Sequence, residues 1–220
     1  MARALLESLP EELRQVMHVA GARADSPAGR TRRPKWSFDA NVGALIELSG
    51  AGDSACLTLA TSLVYSAQCQ GELVAWITRE SSHFFPPDVA GSGVDLRSMV
   101  VIRQTEVRAL ARAAEHLLRS GAFGLVVIDL AAEAGSARIS EATQMRLAGA
   151  AKRHGAVVLC LTRKAPHHAS LGSLVTLRGH AVRRREGDAP IACEIHMLRD
   201  RRHGSGWSHS EVRLGPDGLC

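Results

Sequence analysis

The chain has 220 residues, 45% of them apolar and 22% charged, which suits one domain with a sizeable core or one domain with a short appendage. Net charge is +5 and the isoelectric point about 9.3, carried by arginine because only three lysines occur, Lys35, Lys152 and Lys164. Arginine suits bidentate contacts to phosphate or carboxylate and so allows a nucleic acid or an acidic protein as partner, while a GC-rich genome accounts for the same bias about equally well. No apolar run approaches the roughly 18 residues of a membrane span, so no membrane-spanning helix is expected.

Leu5, Leu6, Leu9, Leu13, Val16 and Met17 recur at helical spacing, and Ser8-Leu9-Pro10-Glu11-Glu12 resembles an N-cap with proline at the first helical position. A helix is expected over residues 1–20. Its acidic residues deny it a signal-peptide core, so the protein is expected to stay in the cytoplasm. Residues 21–35 (GARADSPAGRTRRPK) lack periodicity and read as a linker, and 36–220 as the core domain.

From there short apolar strands alternate with amphipathic helices. Strands are expected at Ala44–Leu48, Glu72–Thr78, Met99–Ile102, Gly124–Leu130 and Ala156–Thr162. Helices are expected at Ala55–Gln70, Glu106–Ser120 and Ser140–Arg153, with a long loop holding Phe84-Phe85-Pro86-Pro87. Strands apolar on both faces and separated by helices mean βαβ units, hence an α/β fold with a mainly parallel sheet flanked by helices. Leu174–Arg184, Ile191–Arg199 and His209–Leu214 alternate with turns and read as an antiparallel C-terminal extension of the sheet edge. The five cysteines show no C-x-x-C spacing and the ten histidines no ligand spacing, so reduced thiols and no metal are expected.

The strand, loop and helix over residues 44 to 63 are the setting of a Walker A loop, G-x-x-x-x-G-K-[ST], in which backbone N–H groups cradle phosphates, lysine meets the β/γ-phosphates and a hydroxyl holds magnesium. The letters here are GAGDSACL: Gly50, Ala51, Gly52, Asp53, Ser54, Ala55, Cys56 and Leu57. The second glycine is Ala55, the lysine Cys56 and the hydroxyl Leu57, and Asp53 adds negative charge, so tight magnesium-ATP binding is unfavourable and no cofactor is expected. Thr58, one position late, supplies a hydroxyl only if the loop register slips. Asp129 ends Leu125-Val126-Val127-Ile128-Asp129 in the form of a Walker B strand, although an aspartate there also serves as a loop or helix cap. Glu80 sits where a general base would activate water, and its other reading is a solvated loop carboxylate. No catalytic residue is therefore expected.

In this order the pieces resemble the core of the RecA recombinase. Its pattern E-I-Y-G-P-E-S-S-G-K-T-T-L aligns without a gap on Glu47 to Leu59 (ELSGAGDSACLTL). Its A-F-I-D-A-E-H resembles Ala75-Trp76-Ile77-Thr78-Arg79-Glu80-Ser81, which implies that Glu80 stands at the family's catalytic glutamate. Further segments, Gly93 to Ser98, Leu117 to Gly121 and Gly124 to Asp129, follow in order, and the match spans about residues 36 to 214. After the fifth strand the family's γ-phosphate-sensing glutamine is missing from Leu161-Thr162-Arg163-Lys164, and its DNA-binding loop is reduced to about Ala165 to Ser173. Strand exchange is not expected.

A shortened RecA-like chain with a decayed nucleotide site is similar to the ImuA family, accessory components of the bacterial mutagenesis cassette. That resemblance implies an adaptor in SOS-induced translesion synthesis, nucleoid-associated, whose partners are RecA, a Y-family polymerase relative and an error-prone replicative-type polymerase. DNA is a further candidate partner. Arg199, Arg201 and Arg202 resemble the region where recombinase subunits place lysines across their ATP-bridged interface, and with Arg183, Arg184 and Arg185 they are candidate DNA or partner contacts, the bland reading being solvated turns. The N-terminal helix resembles the segment that docks on a neighbouring recombinase subunit. Two other functions stay open: a slow ATPase with an unusual loop, and an SOS cell-division inhibitor, since SulA has a RecA-like fold without a working phosphate loop.

Overall fold

The computed structural model describes residues 34–52, 54–82, 84–131, 139–185 and 191–213. The expected N-terminal helix, all but the last two residues of the linker, and Asp53 lie outside them.

In chain order the elements are α1 (Phe38–Asn41), β1 (Leu45–Gly50), α2 (Cys56–Gln68), β2 (Leu73–Arg79), α3 (Pro86–Ala90), a 3-10 turn (Leu96–Ser98), β3 (Met99–Gln104), α4 (Val107–Ser120), β4 (Phe123–Asp129), α5 (Glu141–His154), β5 (Val157–Arg163), β6 (Leu177–Arg184), β7 (Ile191–Asp200) and β8 (Ser208–Arg213). They form a single sheet in the order β3-β2-β4-β5-β1-β6-β7-β8. The five strands from β3 to β1 in that order pair in parallel, and their central members are buried on both faces, as continuous apolar runs require.

One layer packs α2 against Ile46, Leu48, Trp76, Leu125 and Leu159, and reaches Ile195 and Met197 of β7. The other layer packs α4 and α5 against Leu45, Ile77, Val126, Ile128 and Val158. On α4 the residues Leu110, Ala114 and Leu118 recur every four positions and are fully buried, which puts Arg108, Arg112 and Arg119 on the solvent side. Ser140 caps α5 by accepting the Thr143 N–H at 3.2 Å, and Gly155 ends it at a φ of 63°, a left-handed conformation that favours glycine.

The C-terminal extension is antiparallel within itself, as expected, and joins the core through a parallel pair. β6 pairs in parallel with β1, from Ile46↔Leu177 to Ser49↔His180, and only β7 runs against the other strands, being antiparallel to both β6 and β8. The reason is the connection after β5. It crosses the α5 face of the sheet as an irregular strap and re-enters at the start of β1, where the Thr176 N–H donates to Leu45 O at 2.7 Å. Alternation of apolar residues carries no information on strand direction. The loop expected between β2 and β3 holds α3 and the 3-10 turn, both too short for a helical period. Phe84 stacks on Trp76, ring centroids 4.1 Å apart and planes 5° from parallel, whereas Phe85 is exposed.

Candidate functional site

Parallel strands deliver their C-terminal ends to one edge, where α/β sheets bind ligands. Gly50 at the end of β1, Glu80 just past β2, Asp129 at the end of β4 and Arg163 at the end of β5 all reach it. The sequence-predicted nucleotide site is thus assembled in space, and its chemistry is read from the side chains.

The loop after β1 is closed on itself. A Cβ added at Gly50 would stand 2.3 Å from both Cβ and Oγ of Ser54 and 2.8 Å from Cys56 Sγ, so those two side chains occupy the space over the glycine. Gly52 has a φ of 62°, which a side-chain-bearing residue rarely adopts. Ala55 is buried and stands at the N-cap of α2 without a side-chain hydrogen bond. Cys56, in the lysine position, is buried and 3.9 Å from Leu48 O. Burial pushes its thiol up to about 11, against a hydrogen bond from Ser54, and the nearby Asp129 carboxylate adds to the rise. Position 56 therefore offers a neutral, inward thiol where the motif needs an ammonium. Leu57, in the magnesium-hydroxyl position, is 50% exposed. Thr58 lines a groove of about 230 Å³ with Leu57, Phe85 and Asp88, on the α3 side.

Asp129 is 4% exposed and accepts three hydrogen bonds from protein donors. Its Oδ2 accepts Thr78 Oγ1 at 3.0 Å and Ser82 Oγ at 3.1 Å, and its Oδ1 accepts the Ala131 N–H at 3.0 Å. Three protein donors thus share the carboxylate that, in a Walker B strand, would hold a magnesium-bound water. Glu80 is exposed, and its backbone N–H donates to Gln104 O at 3.1 Å.

A polar cluster that sequence reasoning missed lies beside this edge. Glu47, in the middle of β1, is fully buried. Its Oε1 meets Lys164 Nζ and Thr162 Oγ1, each at 3.1 Å, and its Oε2 accepts Ser170 Oγ at 2.7 Å and the Leu171 N–H at 2.8 Å, with Arg178 Nε 3.7 Å away. The carboxylate holds down the strap, including the Ala165 to Ser173 stretch. The available signal was a glutamate inside the apolar run ALIEL, since a buried charge needs partners.

The six candidate arginines divide between opposite ends of the β6–β7 pair. Arg183, Arg184 and Arg185 are exposed on the nucleotide edge, and Arg184 Nε pairs with Glu194 Oε2 at 3.3 Å. Arg199, Arg201 and Arg202 lie at the other end, turned onto backbone carbonyls: Arg199 on Gly172 O at 3.3 Å, Arg201 on Ser173 O, and Arg202 on Ala40 O and Val42 O at 3.2 and 2.8 Å. Among the described residues no cluster of three or more histidine, cysteine or acidic side chains is placed to hold a metal, and no helix is long and apolar enough to cross a membrane.

The strand order and the loop position after β1 define an α/β core of the RecA-like class. Similarity to curated proteins points the same way. The chain is similar to RecA of Frankia alni, 35% identical over 88 residues, which is 40% of this chain and 25% of that protein. RecA of Fusobacterium nucleatum is 38% identical over 88 residues (40% and 23%), and RecA of Bifidobacterium longum 32% identical over 121 residues (54% and 28%). The match thus spans about a quarter of the length of these relatives. No protein-family profile matches the chain.

Proposed function

We propose that this chain is a non-catalytic RecA-like adaptor in SOS-induced, error-prone translesion DNA synthesis, of the ImuA type. It acts by binding RecA, together with a Y-family polymerase relative and an error-prone replicative-type polymerase, in the cytoplasm at the nucleoid. The observation that carries the reading is the occupied phosphate loop. Ser54 and Cys56 fill the space over Gly50, Leu57 brings no hydroxyl, and Asp129 is satisfied by Thr78 and Ser82. Phosphoryl transfer needs charge neutralisation at these positions, and Ser54, Cys56 and Leu57 supply no cation. A RecA-like fold that does not turn over nucleotide retains value as a surface, through contacts to proteins or to DNA along exposed arginines such as Arg183 and Arg185.

The test is co-sedimentation and pull-down of the purified chain with RecA, with and without single-stranded DNA and ATP. Association that survives without nucleotide turnover by this chain supports the adaptor. A well-folded protein that ignores RecA and both polymerase partners, yet binds the tubulin-like division protein FtsZ, would make it a division inhibitor.

A further inference from the structure

On the face of the molecule formed by α4 and α5, two hollows of about 550 and 510 Å³ lie end to end along the seam between the helices, on either side of the Glu115–Arg146 ion pair that both share. Both helices have 14 residues, which gives the seam a length of about 20 Å, three to four turns of a docked helix.

Its floor is apolar and shallow, made by small residues such as Ala111, Gly149 and Ala150 beside Met145, which is 57% exposed. A flexible thioether over a small-residue floor adapts to varied apolar side chains. Its rim is basic. Arg108, Arg112, Arg119 and Arg153 are exposed and form no hydrogen bond or ion pair with any described residue. Arg146 Nε, in contrast, is held at 2.9 Å by Glu115 Oε2. The other oxygen of that carboxylate, Oε1, is shielded from solvent and has no hydrogen-bond donor.

We propose that the α4–α5 seam binds an acidic, amphipathic segment of a partner protein, its carboxylates held by Arg108, Arg112, Arg119 and Arg153 and its apolar residues seated on Met145 and the small-residue floor. Charge complementarity calls for an anion, and the floor calls for apolar groups between the anionic ones. The apolar floor favours a protein over a nucleic acid: a peptide can seat aliphatic side chains on Met145 and the small residues between its carboxylates, which a phosphodiester backbone cannot. The inference rests on the seam alone and goes beyond the adaptor reading, because it holds whether or not RecA is the partner.

The test uses the full chain and three labelled probes followed by fluorescence anisotropy: a 14-residue helical peptide of Glu, Leu and Ser, the same peptide with Lys for Glu, and an oligo-dT strand. The acidic peptide should bind, and Arg112→Glu/Arg153→Glu should weaken it more than tenfold while gaining affinity for the lysine peptide. Lys35→Glu/Arg97→Glu, an equal charge change elsewhere, should cost less than threefold. Equal losses in the two variants, absence of acidic-peptide binding, or loss of oligo-dT alone in the seam variant would overturn the proposal. Circular dichroism checks the fold, and Arg112→Gln/Arg153→Gln replaces the reversal if that variant does not fold.

Discussion

Glu47 Oε1 lies 3.1 Å from Lys164 Nζ, with both side chains withdrawn from water at 0% and 8% exposure. The pair ties β1 to the strap between β5 and β6, which passes over the sheet where a βαβ unit would place a helix. Removing one partner of a buried ion pair leaves the other charge uncompensated. Glu47→Gln should therefore destabilise the fold by about 3–5 kcal/mol, read from the urea midpoint. Proteolysis within residues 165–173 should rise as well. A midpoint unchanged within error would show that the strap is held by its apolar contacts through Leu171 and Leu174 alone.

Asp129 has a structural task as an acceptor. Asp129→Asn puts an amide against hydroxyl and N–H donors, and the loss should be about 1–3 kcal/mol of stability. Thermal unfolding checks it. A variant as stable as the parent would free Asp129 for another role.

Cys56→Lys should not restore ATP hydrolysis. The side chain at 56 points into the fold beneath Ser54, and Ala55 and Leu57 still lack the motif's glycine and hydroxyl. Phosphate release should stay at the level of a protein-free blank. Robust turnover from this single change would mean that the loop reopens once a lysine is present.

His180 gives the fold a pH dependence with a definite sign. Burial, then His196 and Arg178, hold its imidazole below the ordinary value, and its Nδ1 has no hydrogen-bond partner. The folded state keeps the ring neutral where the unfolded chain, with a pKa of about 6.5, already binds a proton. Stability should then fall as the pH drops below about 6.5 toward the depressed folded value. His180→Gln should flatten that slope in urea titrations at successive pH values, and an unchanged slope would place its origin elsewhere.

Much of the sheet is legible in the sequence because its buried strands are apolar on both faces and its long helices are periodic. The boundaries differ by one to three residues, as with Leu45–Gly50 for an expected Ala44–Leu48 and Leu177 for an expected start at Leu174. The phosphate-loop position is legible because a motif fixes spacing, and its closure is not, because nothing local says that Ser54 and Cys56 fold over Gly50. Thr78 and Ser82 carry no signal: a hydroxyl near a strand end is common, and its bond to Asp129 spans about 50 residues of chain. A still longer separation, 117 residues, hid Glu47 from Lys164. Arg199, Arg201 and Arg202 read as candidate DNA or partner contacts or as solvated turns, and their hydrogen bonds to backbone carbonyls are not legible, since composition reports charge and not its partners.

The central claim is that this RecA-like core does not turn over nucleotide. The direct measurement is phosphate release by the purified chain with magnesium-ATP, alone and with single-stranded DNA, beside Asp129→Asn and Glu80→Gln. No turnover above the blank in any sample is the predicted result. Turnover that both substitutions abolish would contradict the account and make the chain an ATPase with an unusual loop.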